Sequence, residues 1–418
     1  MTKALPLISL AVVVICVALL YLRAGALAGD VPAAGPRVIV DPSGRQGPCA
    51  DSRSAAVAGH AATPWCTVSR ALEAAPDGAT ILLRGGSYPD VLAADVPERD
   101  RGATIRPYGG ERVRLASFAL RSVTDVRLEG LAFAGPVTVL ARARGVTIAR
   151  SRLASGMTIE EGSSRIRVIG NRISNPRGNA IIFASSGTPI TGVVISGNSF
   201  HDIGVAAINV RNFRDVRIER NRFTRVVRFK PSQHTDVIRT FGGGRGLVIR
   251  RNLLHDNAAI GIFFKDGAVS DATIENNVIV RTLGGFYGVA LYDTTGLRMT
   301  NNTIVDNTAG VVFQRRVTDA VVFNNILQSL NLLRSSTLKF EDFNYVGRRN
   351  QGTRGAHDVR RAPRFVDRRR LNYRLAPGSP GIDAGRRSGA PDRDRLGHRR
   401  RGRRPDLGAH EYAPLKRR

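Results

Sequence analysis

A phrase close to hydrophobic-x-hydrophobic-x-x-Asn-x-hydrophobic returns about every 20–31 residues through the middle of this chain, and such self-similarity dictates a stacked-repeat architecture. Clear copies are Ile166–Ile173, Val193–Phe200, Val216–Phe223, Leu247–Leu254, Ala272–Ile279, Leu297–Ile304 and Ala320–Leu327. Their shared asparagines are Asn171, Asn198, Asn221, Asn252, Asn277, Asn302 and Asn325. Weaker copies extend the series backwards, with Ser151 and Gly130 in the place of asparagine, so roughly nine turns are visible.

Within each phrase apolar residues alternate with polar ones, as in Val216-Arg217-Ile218-Glu219, which is the period of a half-buried strand. A second short strand follows in most turns, for example Ala207-Ile208-Asn209-Val210 and Gly261-Ile262-Phe263-Phe264. Strands that recur once per turn stack on the preceding turn, giving long parallel sheets around an apolar interior. Asparagine tolerates a left-handed backbone and bonds neighbouring main chain, so the repeated residue is expected to turn the chain. Aligned amides would also form a ladder, which makes these asparagines structural.

The pattern resembles the right-handed parallel β-helix proteins of the pectate-lyase-like superfamily, over roughly residues 65 to 330. The lead-in Trp65-Cys66-Thr67-Val68-Ser69-Arg70-Ala71-Leu72, followed by Gly78–Leu83 and Gly86-Ser87-Tyr88, looks like that family's opening. The resemblance implies an all-β solenoid with an N-terminal capping helix and an irregular C-terminal cap. It also implies action on polysaccharide at a groove on the outer wall.

Four segments follow: 1–28, 29–64, 65–330 and 331–418. In the first, Lys3 precedes an apolar run from Ala4 to Leu22 and Ala26-Leu27-Ala28 offers a small-x-small site, so it reads as a signal peptide or an uncleaved membrane anchor. Either places the solenoid outside the cytoplasm. The second reads as a low-complexity linker. An oxidising compartment permits Cys49 and Cys66 to pair. The net charge of +29 comes mostly from arginine, whose fork matches carboxylate and phosphate. Acidic polysaccharide or a cell-wall polymer is the expected partner of a monomer. Nucleic acid is disfavoured because no nucleic-acid fold motif accompanies the charge.

Beyond about Ser329 the phrase stops and arginine runs begin. The stretch Asn372–Gly385, with Asp406-Leu407-Gly408-Ala409-His410-Glu411-Tyr412, resembles the C-terminal segment of secreted bacterial β-helix proteins. Tyr373, Leu375, Ile382, Leu407 and Tyr412 are expected to cover the last coil. Asp383, Asp392, Asp394 and Asp406 are carboxylates with oxygens to offer a cation, without EF-hand spacing.

The longest interval between asparagines, Val226 to Gly246, holds Gln233-His234-Thr235-Asp236-Val237-Ile238-Arg239-Thr240. Excursions from a scaffold are where binding groups sit. On a strand His234 and Asp236 would share a face. His234, Asp236, Arg239 and Lys265 are the expected catalytic set, with Asn209, Arg211, Asp266, Tyr292, Asp293 and Gln314 binding substrate in a column. Cations would neutralise a uronate carboxylate while a base removes the proton at C5 and an acid protonates the leaving oxygen. Lys265 would serve as base if Arg211 or Arg239 depressed its pKa. The set is similar to sites of β-helix polysaccharide lyases and uronan epimerases. No cofactor is expected; any calcium would fall to Asp236, Asp266 and Asp293. Two alternatives stay open. A glycoside hydrolase would use Asp236 and Asp266, and an adhesin-like solenoid would hold acidic glycan without turning it over.

Overall fold

The computed structural model describes residues 35–94, 102–175, 177–231, 233–284, 287–351 and 354–412. The signal or anchor segment lies outside them. Among the described residues no helix is long and apolar enough to cross a membrane.

The chain winds into an all-β solenoid in which each strand pairs in parallel with the coil before and the coil after. Three sheets line it. The first carries Thr147–Ala149, Arg167–Ile169, Val194–Ser196 and Phe213–Glu219 as successive neighbours. The second carries Arg152–Leu153, Arg172–Asn175, Ser199–Ile203 and Arg222–Val226. The third carries Met157–Glu160, Ile181–Ala184, Ala206–Val210, Asp236–Phe241 and Ile260–Lys265. Alternation sends one side chain of each pair inward, so rows such as Ile148, Val168, Ile195, Ile218, Ile249 and Ile274 are fully buried. The Phe200 and Phe223 rings stack at 4.7 Å inside.

The asparagines form a continuous ladder at the corner between the first and second sheets. Asn198 donates its main-chain N–H and its amide Nδ2 to Asn221 Oδ1, at 2.9 and 3.0 Å, and its Nδ2 also reaches back to Val168 O at 2.8 Å. One side chain thereby joins three coils. The same pattern runs from Ser151, whose N–H donates to Asn171, to Asn344. These amides are buried, and each satisfied group avoids a desolvation cost of about 1–3 kcal/mol. The left-handed backbone is not at the ladder residue. It falls one residue earlier, at Gly170, Gly197, Arg220, Arg251, Asn276, Asn301 and Asn324, because the asparagine needs its own N–H aligned with the next coil.

The solenoid is longer than the phrase. Arg37–Val40, within the stretch that reads as linker, pairs with Thr80–Leu83. At the other end Leu338–Asp342 and Tyr345–Arg349 add a coil beyond residue 330. Its Asn344 continues the ladder, and Asp358 Oδ1 takes the final N–H at 2.8 Å. The helix Val68–Ala74, whose first turn is closed by Thr67 Oγ1 accepting from Arg70 N, buries Val68, Ala71 and Leu72. Cys49 and Cys66 are joined, with Cα atoms 5.0 Å apart.

The C-terminal segment departs from a simple end cap. Only the region of Asp358 and Val359 sits on the last coil. The remainder folds back along the wall, where Tyr373, Leu375 and Leu407 pack on Leu253, Val278, Val305 and Ile326 of the second sheet. Main-chain oxygens of Arg393, Asp406 and Arg386 accept from the corner amides of Asn276, Asn301 and Asn324. Three of the four tail aspartates are spent on this folding: Asp406 Oδ1 accepts from Asp383 N at 2.9 Å, Asp394 accepts from Arg399 N, and Asp392 pairs with Arg387 at 2.6 Å.

Candidate functional site

The outer face of the third sheet gathers the groups singled out from the sequence, in an order that the register alters. Asn209 aligns with Arg239, and Arg239 with Phe263. Phe241 aligns with Lys265. Lys265 therefore stands beside Phe241 and not beside Asp236, which aligns with Ile260. The Arg211 guanidinium lies 4.6 Å from the Phe241 ring, and Lys265 Nζ 6.0 Å from the Phe263 ring. Phe263 meets Tyr292 edge-on at 5.8 Å, and Arg315 lies 5.7 Å over Tyr292. Cations and rings thus alternate across five coils. Phe241, Phe263 and Arg315 are missing from the sequence-based set, although Phe241 and Phe263 each stand two residues from Arg239 and Lys265 on their strands, a spacing that carried the signal for those two.

Asp236 is the group on this face whose pKa burial moves furthest. It opens its strand and is 1 % exposed. Burial pushes its carboxyl up to about 6, against the pull of Arg239, His234 and Lys265. Arg239 Nη1 stands 3.4 Å from Asp236 Oδ2. Around them Asn209 Oδ1, Thr235 Oγ1, Gln233 Oε1 and Arg239 Nε are buried with no hydrogen-bond partner among the described residues. These four atoms around one carboxyl offer hydrogen-bonding capacity that no described residue uses.

Several expectations change. His234 does not share a strand face with Asp236, because the strand begins at Asp236 and His234 stays exposed in the preceding connection. Asp266 and Asp236 are six register positions apart, roughly 20 Å of strand, whereas two hydrolytic carboxylates flank one bond at about 5–9.5 Å. Asp266 turns out of the sheet in a left-handed conformation. Its Oδ2 lies 3.5 Å from Lys265 Nζ, so the nearest charge to the lysine is opposite, not the like charge a lysine base requires. Asp293 is clamped by Arg315 and Arg316, both at 2.7 Å, and these guanidiniums hold its carboxyl below the usual range. Gln314 falls in the register break between the Leu291 and Tyr292 pairs. Asp236, Asp266 and Asp293 each face their own cation, which opposes a shared calcium. Among the described residues no three His, Cys, Asp or Glu side chains gather to hold a metal ion.

The recurring His-Asp pairs form a separate device. His201 Nδ1 meets Asp202 at 2.9 Å and His255 Nδ1 meets Asp256 at 2.6 Å, with Arg225 and Arg281 on the far side of each aspartate. Asp202, Arg225, Asp256, Arg281 and Asp306 all adopt the left-handed turn, so this column of alternating charge holds the corner.

With geometry in hand, the relationship to known proteins is one of fold. Residues 155–342 match the family described as right handed beta helix region. The fold of this chain is a right-handed parallel β-helix. Its fold is similar to that of the pectate lyase Pel9A, with a TM-score of 0.52, 14% identity, and 92% of this chain and 98% of that one covered. It is similar also to XylC in complex with xylose, with a TM-score of 0.51, 10% identity, and coverage of 91% and 98%. No curated protein matches the β-helix chain in sequence.

Proposed function

We propose that this β-helix acts outside the cytoplasm on an acidic polysaccharide laid across the outer face of its third sheet, by β-elimination or C5 epimerisation of uronic acid units. The observation that carries the reading is the Asp236 carboxyl, buried beside Arg239 and raised to about 6, within a row of cations and rings. Arg239 and Arg211 neutralise the substrate carboxylate, which acidifies the proton at C5. Asp236 accepts that proton. The electron pair forms the C4–C5 double bond, the C4–O4 bond breaks, and the departing oxygen is protonated by the Lys265 ammonium, whose long stem carries its charge back toward Asp236 across the five register positions between their main-chain sites. Return of a proton to the opposite face of C5 would give the epimer instead. Phe241 and Tyr292, both half-buried, offer apolar faces for sugar rings, with Phe263 packed beneath Tyr292.

A second reading has its own support. Asp236 is almost wholly covered, which suits an adhesin-like solenoid that binds glycan without turnover. Incubation with polygalacturonate and with alginate separates the two. Ultraviolet absorbance from the unsaturated product, lost in Asp236→Asn, supports elimination. Retention of polymer without product, weakened by Arg211→Ala, supports the binding protein, and neither product nor retention defeats both.

A further inference from the structure

A different face, around the asparagine corner, carries an ordered lattice of arginine. On the first sheet Arg127, Thr147, Arg167, Val194 and Arg217 are registered neighbours, so arginine recurs on every second coil. With strands about 4.8 Å apart, those guanidiniums repeat at roughly 9.6 Å. On the second sheet Arg152, Arg172, Ser199 and Arg222 are likewise registered neighbours. Arg150, Arg220 and Arg251 occupy the corner between the two sheets.

Most of these charges are unspent. Glu129 takes Arg127 and Arg150, and Glu219 takes Arg250 at 2.6 Å. Arg152, Arg167, Arg172, Arg217, Arg220 and Arg222 are exposed, and none is in an ion pair among the described residues. Two depressions of 400 and 310 Å³ lie end to end on the first sheet, sharing Gly192, Val194 and Arg217, with Arg167 in the first. Asp125, paired to Arg165, and Asp215 stand at the edge away from the asparagine corner, so the first-sheet arginines line a channel along the solenoid axis.

The same faces change character where protein covers them. From Leu253 onward the second-sheet position is held by Leu253, Val278, Thr303 and Ile326, all buried, with the tail packed on the apolar ones and Ala409 N donating to Thr303 Oγ1. The corner positions become Asn276, Asn301 and Asn324, bonded to tail main chain. The tail reaches back as far as Asn252, where Arg395 Nε donates to its carbonyl oxygen at 3.4 Å. On the second sheet the exposed arginines Arg152, Arg172 and Arg222 therefore lie before the covered stretch, whereas Arg251 of the corner and Arg298 of the first sheet are half-buried beside tail residues Gly397 and Gly389.

We infer that this open face docks a linear carboxylated polysaccharide running along the axis, at a site separate from the third-sheet groove and independent of its chemistry. Charge complementarity identifies an anion, and the axial repeat identifies a polymer. The spacing is about twice the length of a pyranose, which suits a chain acidic on alternate sugars. The face offers Thr147, Val194, Ala132 and Ser199 between its arginines and no ring on which a nucleobase would stack.

The test compares wild type with the quadruple variant Arg167→Gln, Arg172→Gln, Arg217→Gln, Arg222→Gln, using hyaluronan, which has one carboxylate per disaccharide, as probe. A control, Arg399→Gln, Arg400→Gln, Arg403→Gln, Arg404→Gln, removes the same charge from the exposed tail. The expected result is salt-sensitive binding that weakens more than tenfold in the face variant, less than threefold in the control, with unchanged thermal melting in both. No binding by wild type, equal loss in the control, or tighter binding of polyphosphate or duplex DNA at the same salt overturns the inference. Arg211→Ala, which weakens retention in the third-sheet groove, keeps hyaluronan binding within about threefold of wild type if the two sites are separate. A loss equal to that of the face variant overturns the separation, so failure of the groove reading leaves this result standing.

Discussion

Arg239 stands three residues beyond Asp236 on one strand, with its guanidinium 3.4 Å from a carboxyl that is 1 % exposed. The pair is close enough to attract, yet burial outweighs the attraction and leaves the acid titrating at about 6. A carboxyl raised in this way favours its neutral form in the folded state. Its contribution to stability is complete below the ordinary value near 4 and is lost as pH rises through about 6.

Asp236→Asn should remove that dependence. Between pH 4 and 7 the wild type should lose roughly 3 kcal/mol relative to the variant, from a shift of about two pH units. Urea unfolding at several pH values measures it, and parallel curves for the two proteins would refute the assignment. Turnover, if Asp236 is the base, should rise through about pH 6.

Lys265→Gln should separate binding from chemistry. If the ammonium protonates the leaving oxygen, kcat for β-elimination falls by about 10²-fold or more with KM little changed. A change in KM alone would restrict Lys265 to holding the polymer.

Asn252→Ala should be severe, since Asn252 is fully buried and accepts from Asn221 N and Nδ2 while donating to Ile218 O and Asn277. Loss of the amide strands the Asn221 N–H and Ile218 O, a cost of about 3 kcal/mol or more. Calorimetry or denaturant unfolding reads the change, and a cost below about 1 kcal/mol would mean that water replaces the rung.

Leu407→Ala tests the tail as a cover. Leu407 is 1 % exposed, and its truncation should cost about 2–4 kcal/mol of local packing against the second sheet. Limited trypsin digestion should then cut the arginine-rich tail faster while the solenoid persists. Unaltered cleavage would show that the asparagine and main-chain bonds hold the tail without the apolar contact.

The ladder shows what could be read early. Asn171, Asn198 and Asn221 recur at coil spacing because each coil repeats one buried hydrogen-bonding problem, so the one-dimensional pattern carries the answer. Asn344 was hidden because its coil, Leu338–Arg349, lacks the apolar phrase while keeping the rung. The tail's route along the second sheet was hidden too, since residues 373 and 407 and their partner at 278 are joined only by packing.

Alternation and the repeated asparagine determined the parallel coil, the inward rows and the structural role of the ladder, because these depend on neighbours at fixed sequence intervals. Only the tertiary structure decided the site. Register between Asp236–Phe241 and Ile260–Lys265 placed Lys265 beside Phe241, separated Asp236 from Asp266, and buried Asp236 deeply enough to move its pKa. Those outcomes depend on connection lengths and solvent exclusion, which no local pattern of residues records.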